Sequence, residues 1–179
     1  PDGKPASFIS VQRDITDRKH SEAMLRALNA TSLAMTSAEG PDEVLELAVK
    51  TLASSGLTAD LMMLDDSHDT LSYIASGTDP AVLLQTERLL GTAMARIKVP
   101  YRRIPALRYA IDDGHPIFVD DPTALLAESI PRGSHITSAN LAKTLGMTQS
   151  VVSPLMDEGE VFGVCSIHSK SIQRTDVPT

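Results

Sequence analysis

The sequence predicts an α+β domain, an antiparallel sheet whose helices are segregated to one face. Three observations predict it. Short apolar runs occur in two pairs joined by polar turns, residues 61–64 with 71–75 and residues 150–156 with 161–168. Stretches of helical period, each with its own start and stop signals, lie before the first pair and between the two. The length of 179 residues suits one core of about 130 to 150 residues plus an appendage.

The appendage comes first. Phe8, Ile9 and Val11 are strand formers after the turn-prone Pro1-Asp2-Gly3, while Asp14 and Thr16 can accept hydrogen bonds from the free N–H groups of a following helix. Residues 16–37 contain no proline or glycine and carry Leu25, Leu28, Ser32 and Met35 at a 3-4-3 spacing. A seam this short serves either paired helices or packing on the chain's own sheet. Gly40-Pro41-Asp42-Glu43 opens the next helix, with proline in the first turn and acids at the positive end of the dipole. Val44, Leu45, Ala48, Val49 and Leu52 form its apolar stripe, and Gly56 supplies a left-handed cap.

The first hairpin has the polar loop 65–69. Asp79-Pro80 opens a helix over 81–90 that Gly91 closes, and residues 92–101 leave room for a strand. Residues 104–111 read as helical, Gly114 turns the chain, and Ile117-Phe118-Val119 read as a buried strand. Asp120-Asp121-Pro122 opens one or two helices over 124–145, broken around Pro131-Arg132-Gly133. Asp157-Glu158-Gly159-Glu160 turns the last hairpin.

Composition narrows the function. With 23 acidic against 16 basic side chains the formal charge is -7, opposite in sign to a phosphate-backbone binder, so no nucleic-acid partner is expected. A single cysteine, Cys165, excludes an internal disulfide and a multi-thiolate metal site and fits a reducing compartment. No apolar run approaches the roughly 18 residues of a membrane span, so this segment is expected to be cytoplasmic, without membrane contact. No phosphate-cradling glycine loop, nucleophile elbow or zinc motif occurs, and no catalytic activity is expected.

Two resemblances add to this reading. Val11-Gln12-Arg13-Asp14-Ile15-Thr16-Asp17-Arg18-Lys19 resembles the end of a PAS domain and its exit helix, as found in multi-domain sensor proteins. Asp112-Asp113-Gly114-His115-Pro116-Ile117-Phe118-Val119-Asp120-Asp121, followed by Ser153-Pro154-Leu155-Met156-Asp157-Glu158-Gly159-Glu160-Val161-Phe162-Gly163-Val164, is similar to the second half of a GAF domain. Ala59-Asp60 and the run after them resemble that family's first strand. The resemblance implies three parts: residues 1–15 as the last strand of an upstream PAS domain, residues 16–37 as a linker helix, and residues 38–179 as a GAF-like sensory domain with its final helix truncated. It also implies a helical insertion over the second face of the sheet, with any ligand between sheet and insertion. The implied role is a regulatory module of a signal-transduction protein that senses a small molecule or only dimerises. It would form a homodimer through the linker helix and pass a conformational bias to an output domain of the same polypeptide, such as a histidine kinase or nucleotide cyclase.

On that reading the candidate pocket residues are Met62, Leu64, Ile117, Val151, Val152 and Ile167 as apolar lining, with Arg96 and Arg103 as polar contacts. The arginines come from a basic stretch, Arg88, Arg96, Lys98, Arg102, Arg103 and Arg108, uninterrupted by any carboxylate. Such a stretch serves either an anion site or a solvated surface. Cys165 reads as a small core hydrophobe, and His135 as a polar loop residue; haem held by either is the remaining cofactor reading. Ser129-Ile130-Pro131 offers only a fragment of the motif of bilin-binding relatives, a lone cysteine is too few for the GAF-like sulfoxide reductases, and the cyclic-nucleotide signature has no equivalent here. Asp112-Asp113 and Asp120-Asp121 are explained by turns and a helix start.

Overall fold

Alternation of apolar and polar side chains, with one aspartate where a strand would not be expected, sets the layout of the sheet. The computed structural model describes residues 41–54, 56–131, 134–169, 172 and 174. The expected PAS-like strand, the linker helix over 16–37 and the closing segment 175–179 lie outside the described residues.

Helix α1 (Pro41–Ser54) ends in a Schellman arrangement: Gly56, at φ 79°, donates to the Ala53 carbonyl and Leu57 to the Leu52 carbonyl. Strand β1 (Thr58–Leu64) follows at once and pairs with β2 (Leu71–Ser76). The loop between them is built on Asp65, whose carboxylate accepts from the Asp69 and Thr70 N–H groups and from the Ser67 and Thr70 hydroxyls. Helix α2 (Pro80–Leu90) is capped by Asp79, which accepts from Ala81 at 2.8 Å, and is closed by Gly91.

The insertion continues through a 3-10 turn (Met94–Arg96), strand β3 (Lys98–Val99), a second 3-10 turn (Tyr101–Arg103) and helix α3 (Pro105–Asp112). Strand β4 (Ile117–Val119), helix α4 (Thr123–Leu126), a 3-10 turn (Ala127–Ser129) and helix α5 (Ser138–Leu145) complete it. Asp121 accepts from the Thr123 N–H and hydroxyl, one residue earlier than the cap position, which Pro122 holds. Strands β5 (Ser150–Asp157) and β6 (Glu160–His168) meet at the two-residue turn Glu158-Gly159, both at positive φ.

The six strands form one antiparallel sheet in the order β3-β2-β1-β6-β5-β4. Helix α1 covers one face, its Val49 buried against Ala59 and Leu61 of β1. The insertion covers the other and buries the larger core, including Leu71, Tyr101, Ile104, Leu107, Leu141 and Val152. This is the α+β architecture expected from the sequence. One correction concerns β4: it is half-buried rather than buried, because it is the outer strand with a neighbour on one side only. Strand β1 begins at Thr58, three residues before the apolar run and one before the Ala59-Asp60 start that the resemblance implied; Thr58, Ala59 and Asp60 all pair with β6.

Two local features shape the cavity wall. Along β2 the register passes from Leu61↔Ala75 to Met62↔Tyr73, leaving Ile74 as an extra, exposed residue. The bulge reverses side-chain parity, so that Tyr73 and Ser76 face the same side although three positions apart. Gly77 then lies so close to α1 that a Cβ on it would stand 2.9 Å from the Val49 carbonyl oxygen.

Candidate functional site

Strand periodicity brings Asp60 and Met62 of β1, Ser150 and Val152 of β5, and Val164, Ser166 and His168 of β6 onto the face beneath the insertion. Between them and the insertion lies a cavity of about 20 Å³. Its sheet side is polar, with Asp60, Ser76, Thr78, Ser166 and His168. Its roof is apolar, with Leu83, Met94, Leu107, Leu126 and Met147. Tyr73 of β2 and Ser129 of the insertion also line it.

A single chain of hydrogen bonds crosses four adjacent strands here. Ser150 Oγ lies 2.8 Å from His168 Nδ1, and His168 Nε2 lies 3.1 Å from Asp60 Oδ2. Ser76 Oγ donates to Asp60 Oδ1, and the Thr78 N–H donates to Ser76 Oγ at 3.2 Å. A carboxylate only accepts, so Nε2 carries its hydrogen toward Asp60, while Nδ1 shares the other hydrogen bond with the Ser150 hydroxyl. Ser150 is 0 %, His168 6 % and Asp60 9 % exposed. Polar groups at that depth persist only when hydrogen-bonded, and each member of this chain is.

Electrostatics reach beyond the chain. Burial, then the Asp60 carboxylate, push the Tyr73 phenol far above its usual range, against a smaller opposing hydrogen bond with Ser129. The Cys165 thiol is pushed up to about 12, mainly by burial and secondarily by Asp60. Asp60 therefore acts on both faces of the sheet.

Serine, histidine and aspartate in a row invite comparison with a hydrolytic triad, and accessibility decides the matter. A nucleophile must meet its substrate, and Ser150 has no exposed surface. The arrangement is a buried polar brace. Among the described residues no group of three or more His, Cys, Asp or Glu side chains is placed to hold a metal ion. Haem does not fit either candidate: the cavity is far smaller than a macrocycle, His135 is exposed on a loop, and Cys165 points to the α1 face.

The expected pocket residues are dispersed. Met62 lines the cavity and Val152 lies in the core on the same face. Leu64 sits farther along that face, beside Tyr101 and Ile111, and Ile117 borders an outer groove with Tyr109 and Phe118. Val151 and Ile167 are directly paired, and Ile167 packs against the cluster of Val49, Ala59 and Leu61. The expectation that Val151 and Val152 share a surface is corrected by the pleat, which sends neighbours to opposite faces. Arg96 and Arg103 lie outside: both are exposed, and Arg103 pairs with Glu128 at 3.5 Å. Arg102 pairs with Asp69 and lies over the Tyr101 ring, and Lys98 donates to Ser72, so these cations are engaged with the chain's own surface.

Sequence reasoning missed Asp60, Ser76, Ser150, Ser166 and His168 as a group. The available signal was an acidic residue inside an apolar strand, together with Ser166 and His168 at a spacing of two on the last strand.

A comparison with curated proteins finds no match in sequence. Solved structures share the fold. A methyl-accepting chemotaxis protein fragment is 21% identical, with 84% of this chain and 86% of that one covered at a TM-score of 0.55. The GAF domain of a phosphoenolpyruvate-protein phosphotransferase from Coxiella burnetii is 17% identical, with 83% and 79% covered at 0.57. The free methionine-R-sulfoxide reductase from Neisseria meningitidis, solved with its substrate, is 17% identical, with 96% and 86% covered at 0.56. At these identities the likeness establishes the fold alone. The family profile described as "GAF domain" matches residues 40–178, and the chain belongs to the GAF domain family.

Proposed function

We propose that this chain is a regulatory module of a cytoplasmic signal-transduction protein, sensing a small molecule between its sheet and its helical insertion. The observation that carries the reading is the buried chain Ser150–His168–Asp60–Ser76 lying against a cavity roofed by the insertion. Buried polar groups so arranged can exchange an internal hydrogen bond for one to a ligand. The roof includes three elements separate from the sheet, contributing Leu83, Met94 and Leu126, so occupancy would bias their position.

A physical route leads onward. Ser76 holds Asp60, and the next residue, Gly77, donates to the Ala59 carbonyl at 2.7 Å and lies against Val49 of α1. A ligand that competes for Asp60 would shift the segment from Ser76 to Thr78 and, with it, the seating of α1. Only differential affinity for two arrangements moves such an equilibrium, and about 1.4 kcal/mol changes their ratio tenfold. In the proposed parent, segments flanking the domain, including a linker helix over 16–37 that pairs two protomers, pass this bias to an output domain. The upstream PAS strand over 1–15 belongs to the same proposal.

A second reading, a dimerisation module that binds nothing, is favoured by one observation. A cavity of about 20 Å³ holds about one water molecule. Thermal unfolding against a panel of small metabolites separates the two, run in parallel on Asp60→Asn and Ser76→Ala. A compound that stabilises the original chain but not Asp60→Asn supports sensing at this site, with Ser76→Ala as the variant that keeps the carboxylate; no such compound supports the second reading.

A further inference from the structure

The charge of the cavity wall names the class of molecule it suits. Among the described residues Asp60 is the one carboxylate on that wall, and no lysine or arginine lines it. Its partners are the Ser76 hydroxyl and the His168 imidazole, one on each oxygen. A carboxylate offers about four lone-pair sites, so acceptor capacity remains after these two bonds. A buried carboxylate held by a hydroxyl and an imidazole, with no lysine or arginine beside it, is kept there at a cost, and a ligand that brings positive charge relieves it. A ligand that brings negative charge would meet Asp60 with no arginine fork or ammonium to offset the repulsion. The basic stretch of the chain is exposed on the outer surface and cannot supply one.

The rest of the lining agrees. Away from Asp60 and the other polar side chains of the lining, the cavity is bounded by Val99, leucines and three methionines, Met62, Met94 and Met147. Unbranched thioether side chains with three rotatable bonds repack readily, so the cavity can grow by side-chain rotation beneath an intact sheet. The space gained would be apolar except at the Asp60 end.

We infer that the site takes a small organic cation, an alkyl ammonium or amidinium with a short apolar body, whose charged head meets Asp60 and whose body displaces the methionines. This rests on the sensing function proposed above and specifies its ligand class.

The test uses three molecules of similar size and different charge: n-butylammonium, n-butanol and n-propionate. The full chain, with its methionine methyl groups labelled by 13C, is titrated with each and followed by NMR. For so small a molecule an affinity of about a millimolar is expected. The expected result is saturable movement of the Met62, Met94 and Met147 methyl signals with n-butylammonium, weaker with n-butanol and absent with n-propionate, and a loss of about thirtyfold or more in Asp60→Asn. If Asp60→Asn does not fold, Ser76→Ala serves instead. It frees an Asp60 oxygen, and n-butylammonium should then bind at least as tightly as to the original chain. Movement with n-propionate or n-butanol equal to or greater than that with n-butylammonium overturns the cation class while leaving a ligand site in place. Methyl signals unmoved by all three overturn the class and the sensing function together.

Discussion

Asp60 and His168, separated by 108 positions in the chain, meet at 3.1 Å on neighbouring strands and are both nearly inaccessible to water. Their pairing links the first strand of the sheet to the last. Removing one partner of such a pair strands the other, which commonly costs more than the pair contributes. His168→Ala should therefore lower unfolding free energy by about 3 kcal/mol, and Asp60→Asn by less, because the amide keeps an acceptor for the imidazole. Urea unfolding of both variants and the double variant should give a coupling of about 1 to 3 kcal/mol. Additive effects would show that the two side chains do not support each other.

The loop of the first hairpin, at the end away from Asp60, carries a test by acid. Hydrogen bonds from the Thr70 hydroxyl and N–H, with smaller ones from Asp69 and Ser67, hold the Asp65 carboxyl well below its usual 3.8. A carboxyl depressed by folding stabilises the folded state above its unfolded pKa and loses that effect as pH falls through its folded value. The stability difference between the original chain and Asp65→Asn should be constant at neutral pH and shrink below about pH 3.8. A difference unchanged down to pH 2 would contradict this.

Cys165 should be slow to react. With its thiol pushed up to about 12, it carries about a thousandfold less thiolate at pH 8 than a free cysteine. Labelling with a thiol-specific disulfide reagent should be slow in the native chain and fast in denaturant. Native labelling within tenfold of the denatured rate would show that the thiol is open and ionisable.

Thr86 supplies a test of unmet hydrogen bonding. It is fully buried on α2, and its hydroxyl has no partner among the described residues. Replacement by valine removes the unsatisfied group at constant shape, so Thr86→Val should stabilise by about 1 kcal/mol and raise Tm by about 2 to 4 °C. A drop in Tm would mean that the hydroxyl is held by a bound water.

What could be read along the chain was what the chain specifies locally. Asp79-Pro80 with Gly91, Gly56 after its helix, and Glu158-Gly159 between the last strands each carry their conformation within a few residues, and each is found where expected. The site was not legible in that way. Ser76 lies 16 positions from Asp60, Ser150 lies 18 from His168, and the pairing register that joins them is a property of the folded sheet. Asp60 also kept the apolar run from reaching the start of β1, which only the family resemblance brought to Ala59-Asp60, since an acid is a poor strand former until a buried partner accepts it. Parity was the other loss: Val151 and Ile167 were expected beside Val152, and the pleat places them under α1. The arginines misled because charge clustering in sequence says nothing about which way a surface faces. Arg103 found Glu128 on its own surface.

Native mass spectrometry of the freshly purified chain, with denaturing analysis of whatever is released, tests the sensing claim most directly. The account predicts a non-covalent adduct carrying a small cation, lost on denaturation and absent from Asp60→Asn. The bare polypeptide mass in both the original chain and the variant, together with no stabilising compound, would contradict it.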